Sequence, residues 1–572
     1  MSAAAPEALA RAARGTLLSS FAGDHAPDWM LRQAAAGLGG VCLYRSNRGA
    51  DVATVAAALH DARPEVVVAL DEEGGDVTRV EAATGSSVPG NAALGAVDDL
   101  GLTWRVAAAL GGVLHAAGVD LDLAPCADVN SDRANPVIGV RSFGADPGVV
   151  ARHTAAFVGG LRSAGVAACA KHFPGHGAVT VDSHVSLPTV AAPVGVLRAR
   201  ELAPFRAAIR AGVAAVMPGH LLVPALDAVP ATVSRPIVTD LLRGELGFDG
   251  LVVTDALDMG GIGGPEAIPA TVVRALAAGA DLCCLGPDND EAVVEACVEA
   301  VVAAIAAGEL APGRVTGAAA RVAALRSNLR GGRVERPASP PRRGVDVPAE
   351  VAPRHGVDVT AEAAPRHGVG GVPEVAPPHG VGRVARRPPS SDAELAAPAR
   401  AALAAIGAEA AGRAVVVAGD PPVPIVGAHV VELDRPANVA AGSVPWGVAA
   451  ALAALDPATT TARIAEGDDP AVRATLVAAR GRPLVVVVRD PQRRPAQMAA
   501  LRTLLAARPD AVAVDMGWPV APEQRPDAAA WITSHGASRA SGEVVARLLA
   551  GVLDRPPPTI PTAATRGGSA RG

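Results

Sequence analysis

The stretch GVAACAKH, residues 165–172, is a short apolar run that ends in two polar side chains, Lys171 and His172. A glycine opens the run and small or β-branched residues fill it, which is typical of a strand buried on both faces. Lys171 is the only lysine of the chain, although Lys and Arg together number 51. Because an ammonium is a compact donor and a guanidinium a wide planar fork, a site shaped for one excludes the other. Lys171 is therefore a candidate functional residue.

Similar apolar runs alternate with longer Ala-rich helical segments from residue 38 to residue 286. The others are GGVCLYR (39–45), EVVVALD (65–71), VDLDLAPCADV (119–129), GVAAVMPGH (212–220), GLVVTDALD (250–258) and GADLCCLG (279–286). Such runs indicate a parallel sheet covered by helices on both faces, and roughly seven or eight such units favour a (β/α)8 TIM barrel over an open sheet.

Almost every run ends in polar residues. These are Asp71 and Glu73, Asp128 and Asn130, Lys171 and His172, His220, Asp255, and Asp288. Because the carboxyl ends of barrel strands build the active site, we expect these side chains to converge on one mouth.

The chain divides into two predicted domains and a spacer. Residues 1–330 are predicted to form the barrel. Over 331–392, glycines recur every twelve residues with His355, His367 and His379 just before three of them. Evenly spaced histidines could bind metal, but the proline density favours a disordered linker. The strands AVVVAG, AHVVEL, PLVVVVRD and AVAVDMG then predict a smaller α/β sandwich domain over 393–560, followed by a disordered tail over 561–572.

Composition and charge limit the class of partner. The net charge is −6 and there is no long basic run, so we expect neither nucleic acid nor a membrane as a partner. No apolar stretch is long enough for a signal peptide or a membrane span, which predicts a cytoplasmic location. The six cysteines all precede residue 300 and mostly lie in apolar runs, which predicts neither disulfides nor a zinc site. We expect a small-molecule ligand and no metal or organic cofactor.

Asp182 and His184 follow the Lys171 strand and stand two residues apart. A carboxylate at this spacing can orient an imidazole or raise its basicity, and the imidazole can then donate a proton to a leaving group and later accept one. A structural Asp–His hydrogen bond in a turn is the alternative. A glycosidase also needs a carboxylate on the other side of the sugar, and Asp255 is the candidate because an apolar strand carries it to the mouth, with Asp258 as the fallback.

Five motifs resemble those of the family 3 glycoside hydrolases. They are DEEGGDVTRV (71–80), NPVIGVRSFGADP (135–147), KHFPGHGAVTVDSH (171–184), LAPFRAAIRAGVAAVMPGH (202–220) and LLRGELGFDGLVVTDALDM (241–259). The resemblance spans about residues 15–330 in order and spacing, and is closest to the β-N-acetylglucosaminidases that act on bacterial cell-wall fragments. The stretch 533–561 is similar to the end of that family's α/β sandwich domain.

The resemblance implies roles for individual residues. Asp255 falls on the catalytic nucleophile, which forms a covalent glycosyl-enzyme with retention of configuration. His184 falls on the acid/base of this subgroup, with Asp182 as its partner. The substrate-binding group comprises Asp71, Arg79, Arg141, Lys171 and His172, with Asp128 supporting it.

The implied activity is that of a retaining exo-β-N-acetylglucosaminidase that releases terminal N-acetylglucosamine from muropeptides or related β-glycosides, as in peptidoglycan recycling. Phosphorolysis stays open because an imidazole acid/base would not repel an incoming phosphate as a carboxylate would. Another family 3 β-glycosidase activity is disfavoured by VDSH, and a non-catalytic sugar sensor is disfavoured because Asp255 and His184 are both retained. Asp76 stands where the family usually has arginine, which reverses a charge near the mouth.

Overall fold

The computed structural model describes residues 4–47, 49–181, 186–330, 392–434 and 442–554. The predicted linker, except for Asp392, and the predicted tail lie outside these residues. The described residues contain one eight-stranded sheet and one six-stranded sheet.

The first sheet is built from short, fully buried strands. They are β1 (Leu17–Ser19), β2 (Gly40–Leu43), β3 (Val67–Leu70), β4 (Leu121–Asp122), β5 (Ala167–Phe173), β6 (Ala215–Pro218), β7 (Leu251–Val252) and β8 (Cys283–Cys284). Their order is β7-β6-β5-β4-β3-β2-β1-β8, and each neighbouring pair is parallel. The strand β1 is the one that the sequence runs did not include.

Hydrogen bonds next to β7 and β8 close this sheet into a barrel. The backbone N–H of Asp281 donates to the carbonyl of Val252 at 2.8 Å, and that of Thr254 donates to the carbonyl of Leu282 at 3.0 Å. The predicted (β/α)8 barrel is therefore confirmed.

Helices cover the outside of the barrel. They are α1 (Ala4–Arg14), α2 (Asp28–Ala36), α3 (Val52–Ala62), α4 (Asn91–Val97), α5 (Leu100–Ala116), α6 (Pro147–Ala164), α7 (Val194–Val196), α8 (Leu202–Arg210), α9 (Ile268–Ala278), α10 (Glu291–Ala306) and α11 (Pro312–Arg330). Wider π-helical turns span Leu197–Glu201, between α7 and α8, and Pro236–Glu245. Aspartates cap several of these helices: the side chains of Asp51, Asp99, Asp146 and Asp290 accept first-turn N–H groups of α3, α5, α6 and α10.

Small side chains fill much of the barrel interior. Alternate residues of each strand point inward, and the inward set includes Cys42, Ala69, Ala167 and Cys169. Leu325 of α11 belongs to the same cluster and covers the amino ends of the strands. The polar strand ends are therefore left to face the opposite, carboxyl mouth.

The second sheet lies between two layers of helices. Its strands are β9 (Val416–Gly419), β10 (His429–Leu433), β11 (Thr460–Ile464), β12 (Leu484–Val488), β13 (Val512–Asp515) and β14 (Ala530–Thr533). Its helices are α12 (Asp392–Ala414), α13 (Ala449–Leu455), α14 (Asp469–Ala478), α15 (Pro495–Ala507) and α16 (Arg539–Leu549). The order is β11-β10-β12-β13-β14-β9, and β9 alone runs antiparallel to its neighbour.

The alternation of side chains along β12 explains this layering. Val485 and Val487 join one buried cluster with α12, α13 and α16, whereas Val486 and Val488 join another with α14 and α15. A strand that is apolar on both faces needs cover on both faces, so the predicted α/β sandwich fold of the second domain is confirmed.

The helix α12 packs against α5 of the barrel. Leu403 and Ala410 of α12 belong to the main barrel core. At the rim of this contact, Arg105 pairs with Glu409 at 2.8 Å, where the two side chains are 46% and 39% exposed. This exposed ion pair contributes little to stability.

All six cysteines are free thiols and all are buried. Among the helices of the described residues, we find none that combines the length and the apolar character needed to cross a membrane.

Candidate active site

A cavity of about 290 Å³ opens at the carboxyl ends of the barrel strands. Six of the nine predicted site residues line it: Asp71, Arg79, Arg141, Lys171, His172 and Asp255. Of the strand-end polar residues expected at this mouth, six line the cavity: Asp71, Glu73, Lys171, His172, Asp255 and Asp288. Asn130 and His220 are buried and do not line it. Asp128 is fully buried behind His172, and Asp182 and His184 lie outside the described residues.

Lys171 sits at an irregularity in β5. The pairing of β5 with β6 shifts register between Lys171 and Phe173, and such a bulge redirects side chains near a site. The Lys171 side chain is only 2% exposed, and its Nζ lies 2.7 Å from both Asp71 Oδ1 and Glu73 Oε1. Burial alone would lower the pKa of Lys171, but the two carboxylates raise it well above its ordinary value. The side chain is thus a permanent ammonium at the floor of the cavity.

Glu73 forms a two-point ion pair with Arg141. Arg141 donates from Nη2 to Glu73 Oε1 at 2.7 Å and from Nε to Glu73 Oε2 at 2.9 Å. Burial alone would raise the pKa of Glu73, but Arg141 and Lys171 hold it well below its ordinary value. The sequence indicated Glu73 only as a strand-end polar residue and not as a substrate-binding residue. Its ion pairs with Arg141 and Lys171 now make it part of the candidate site.

Asp71 completes this charged group. It accepts from Lys171 and lies 3.5 Å from Nη2 of Arg79. Burial alone would raise the pKa of Asp71, but Lys171 and Arg79 lower it below its ordinary value. Two carboxylates therefore alternate with three cations along one wall, an arrangement that can both donate hydrogen bonds to sugar hydroxyls and accept them from those hydroxyls.

The neighbouring Glu72 faces away from this group. Its Oε2 accepts from the backbone N–H groups of Arg79 at 2.7 Å and Val80 at 3.0 Å, and from Thr78 Oγ1 at 3.1 Å. Burial raises the pKa of Glu72 to about 7, against the lowering effect of these hydrogen bonds. Glu72 therefore fixes the backbone of the segment that carries Arg79.

Asp128 orients His172 from behind. Its Oδ2 lies 2.7 Å from His172 Nδ1, and its Oδ1 accepts from the backbone N–H groups of His172 at 3.1 Å and His176 at 2.7 Å. Burial alone would raise the pKa of Asp128, but His172 lowers it below its ordinary value. Because Nδ1 of His172 is bound to Asp128, Nε2 is the nitrogen left for the cavity.

Cys126 joins the same buried group. With Asp128 and His172 it forms a set of possible metal ligands within 4.8 Å of one another. Cys126 Sγ lies 3.2 Å from Asp128 Oδ2, and burial raises the pKa of this thiol well above its ordinary value. Asp128 Oδ2 accepts from Cys126 Sγ and pairs with His172 Nδ1 at 2.7 Å, so the three side chains already satisfy one another as a hydrogen-bonded support for His172.

His176 was not among the predicted site residues, although it follows His172 within the motif KHFPGHGAVTVDSH. Its ring meets that of His172 edge to face at 5.7 Å between centroids, and both rings line the cavity. Burial lowers the pKa of His176 to about 4, so this ring is neutral near pH 7. The signal that could have identified it is its position four residues after His172 in a glycine turn.

Asp255 lies just beyond β7 and is half-buried at the cavity wall. Its Oδ1 accepts from the backbone N–H of Ala256 at 2.9 Å. Buried His220 lies behind this point, with Nε2 2.8 Å from the carbonyl of Ala256. The strand and His220 thus fix the backbone that carries Asp255. Asp258, the predicted fallback, also lines the cavity.

Asp76 faces the second domain and not the cavity. Its carboxylate pairs with Arg489, which lies just after β12, and Oδ1 also accepts from the backbone N–H of Ala537 at 3.3 Å. The reversed charge at this position therefore has a partner of opposite sign in the second domain.

A family model described as the glycosyl hydrolase family 3 N terminal domain matches residues 34–325. The chain is 39% identical to a β-hexosaminidase of Stenotrophomonas maltophilia over 264 residues, which is 45% of this chain and 77% of the relative. It is 37% identical to a β-hexosaminidase of Chromobacterium violaceum over 271 residues, or 45% of this chain and 75% of that relative.

A solved structure that matches nearly the whole chain is also similar. It is a glycoside hydrolase family 3 β-N-acetylglucosaminidase from Paenibacillus sp. FPU-7, with a TM-score of 0.76 and 27% sequence identity. The superposition covers 96% of this chain and 97% of that one.

Proposed function

The chain belongs to glycosyl hydrolase family 3 and is a glycoside hydrolase of the β-hexosaminidase type, as its motifs predict, and from this premise we propose that it is a retaining exo-β-N-acetylglucosaminidase. In this proposal the enzyme releases terminal N-acetylglucosamine from muropeptides or related β-glycosides. The observation that carries the proposal is the buried lysine, Lys171, held between Asp71 and Glu73 at the floor of a strand-end cavity that also exposes Asp255.

Asp255 is the proposed nucleophile. Its carboxylate attacks the anomeric carbon, the bond to the leaving oxygen breaks, and a glycosyl ester forms; water then attacks the same carbon and frees the carboxylate. The two inversions give overall retention. A side chain whose backbone is fixed by β7 and His220 supports this role, because a nucleophile must hold a near-attack geometry.

The charged wall of the cavity is proposed to bind the sugar. Lys171 can donate to one hydroxyl while Asp71 accepts from its neighbour, and Nε2 of His172 can serve a further hydroxyl. Arg79 and Arg141 extend the donor set. The ion pairs keep these groups in place before the substrate arrives, so little ordering is needed on binding.

His184 is the proposed acid/base and Asp182 its partner. The imidazole protonates the leaving oxygen in the first step and takes a proton from the attacking water in the second. This assignment remains a prediction from the sequence. We expect His184→Ala to slow cleavage of substrates with poor leaving groups far more than of activated aryl glycosides, which need little protonation. An equal loss on both classes would contradict the assignment.

The nucleophile is tested by replacing Asp255. We expect Asp255→Ala to lower kcat on an aryl β-N-acetylglucosaminide by on the order of a thousandfold or more. A slow fluorosugar inactivator should label Asp255 in the wild-type enzyme. The matched control is Asp249→Ala, because Asp249 is an exposed aspartate at the amino end of β7, away from the cavity. Labelling of another residue would refute the assignment.

Product analysis separates hydrolysis from phosphorolysis. Incubation with an aryl N-acetylglucosaminide should yield free N-acetylglucosamine both with and without inorganic phosphate. A sugar 1-phosphate that appears only with phosphate would instead identify a phosphorylase, since phosphate would then replace water as the attacking molecule. Release of N-acetylglucosamine from muropeptides, and cell fractionation, would test the proposed role in peptidoglycan turnover and the predicted cytoplasmic location.

A further inference from the structure

One loop of the second domain, residues 489–493, contacts both segments that carry the Glu73–Arg141 ion pair. We propose that this loop, named here the docking loop, positions Glu73 and Arg141 and so makes the second domain part of the working active site. The proposal rests on the proposed function only in taking the Glu73–Arg141 pair as part of the sugar-binding wall.

Arg489 begins the docking loop and holds Asp76. Their ion pair is almost completely buried, since the Arg489 side chain is 9% and the Asp76 side chain 6% exposed. The Arg489 guanidinium also lies over the ring of Trp446, 5.7 Å from its centroid. A buried arginine held on two sides is a rigid anchor, and a buried carboxylate that loses a cationic partner is strongly penalised.

Asp76 occupies the tip of a tight turn that begins at Glu73. The backbone N–H of Glu73 donates to the carbonyl of Val77 at 3.1 Å, and that of Val77 donates to the carbonyl of Gly74 at 3.3 Å. Gly74 and Gly75 have φ values of +73° and +60°, so the turn is built from residues with wide backbone freedom. Anchoring its tip therefore limits the movement of Glu73, three residues away.

Arg493 ends the docking loop and contacts the segment of Arg141. Its Nε donates to the carbonyl of Arg133 at 3.1 Å. Its guanidinium also lies so close to Gly139 that an added Cβ would meet Nη2 at 3.0 Å. Gly139 begins the single helical turn Gly139–Arg141, so the contact lies two residues from Arg141.

Trp518 closes the same contact. The docking loop holds it through Gln492, whose Nε2 donates to the Trp518 carbonyl at 2.8 Å. The Trp518 ring forms a small buried cluster with Ala92 and Val140 of the barrel. Both partners of the ion pair are thus supported from the second domain, at residues far from them in sequence.

The test measures loop order and activity separately in the full-length protein. We expect Arg489→Ala to raise amide hydrogen exchange in residues 71–80, and Arg493→Ala to raise it in residues 135–147. On an aryl N-acetylglucosaminide, Arg489→Ala should lower kcat/KM by about tenfold or more, chiefly through KM, because the sugar-binding wall and not the nucleophile is disturbed. The double variant Asp76→Arg with Arg489→Asp should recover much of this loss by restoring an ion pair of reversed polarity.

Arg105→Ala is the matched control. It removes another ion pair between the domains, that with Glu409 on α12, and should change neither loop exchange nor kcat/KM by more than about twofold. Unchanged exchange in residues 71–80 of Arg489→Ala, or an equal activity loss in Arg105→Ala, would overturn the proposal. An inactive wild-type enzyme would instead contradict the proposed function, and the exchange measurements would still decide the role of the docking loop.

Discussion

At the carboxyl ends of the barrel strands, carboxylates face cations around a cavity. Asp71 and Glu73 bind the side chains of Lys171 and Arg141 there. At the same end of the second sheet, buried carboxylates bind the backbone of loops instead, and the loops pack against the barrel. The same residue type at the same place in a parallel strand thus serves two purposes.

The second sheet gives clear examples of the backbone-bound kind. Asp490, after β12, accepts from the N–H of Trp518 at 2.7 Å. Asp515, at the end of β13, accepts from Gly517 at 3.0 Å and Val520 at 2.8 Å. Burial raises the pKa of Asp515 to about 6, against the lowering effect of these backbone hydrogen bonds, whereas Arg141 and Lys171 hold the pKa of Glu73 below its ordinary value. The difference teaches that the partner of a strand-end carboxylate, and not its presence, distinguishes a ligand site from a structural joint.

Replacing Lys171 by arginine should break the barrel side of this comparison most strongly. The wide guanidinium cannot occupy the small space between Asp71 and Glu73, so we expect kcat/KM to fall about a hundredfold, or ~2.7 kcal/mol of transition-state stabilisation. Steady-state kinetics on an aryl N-acetylglucosaminide measures this. A value within about twofold of wild type would mean that the position tolerates any cation.

Glu72 sharpens the comparison because it is a backbone-bound carboxylate within the barrel mouth. Its pKa rises from 4.5 to about 7 on folding, so its protonated form stabilises the folded state. That contribution is fully present below pH 4.5 and is lost as the pH rises through 7. Glutamine does not titrate, so between pH 5 and 8 the unfolding free energy of Glu72→Gln should gain about 2 kcal/mol relative to wild type. Urea unfolding at several pH values checks this, and parallel curves would contradict it.

Asp128 binds both a side chain, that of His172, and backbone N–H groups. We therefore expect Asp128→Asn to have an effect between those of the cation-bound and the backbone-bound carboxylates. Asparagine keeps the shape but loses the charge that holds His172 Nδ1, so we expect kcat/KM to fall about tenfold with the fold retained. Kinetics and circular dichroism measure the two outcomes. Loss of folding without a loss in specific activity would make Asp128 purely structural.

Asp515 should behave in the opposite way to the barrel carboxylates. Asp515→Asn weakens one loop hydrogen bond in the second domain, so we expect about 1 kcal/mol less unfolding free energy. The kcat/KM of the folded enzyme should fall by less than in Arg489→Ala, because the docking loop still holds Trp518 through Gln492. A tenfold loss of activity at full folding would place this carboxylate with the functional ones.

The barrel was predictable because its strands are unbroken apolar runs that end in polar residues. GVAACAKH covers β5 up to His172 and GLVVTDALD contains β7, and both deliver side chains to the cavity. The strand β1 (Leu17–Ser19) was missed because its apolar run is only two residues long, between Thr16 and two serines. The edge strand β11 (Thr460–Ile464) was missed because it is mostly exposed and carries Thr and Arg in place of an apolar core.

The site was predictable by residue type but not by partner. The sequence indicated Lys171 and Asp255, since a unique cation and a strand-end acid stand out. The resemblance implied that Asp128 supports the site, but the sequence could not show that its partner is His172, because that depends on side-chain direction. Nor could it pair Asp76 with Arg489, which lies 413 positions later in another domain. Contacts between distant segments need the folded structure.

The distribution of thiols makes the native cysteines a probe of how often the barrel opens. All six cysteines are buried in the barrel domain, and the second domain has none. Apart from Cys284, which lines the cavity, these thiols can react with an added reagent only when the barrel opens, so their labelling rate reports the opening of that domain alone. Counting added masses over time would show whether the barrel opens in one step or region by region, without any engineered probe.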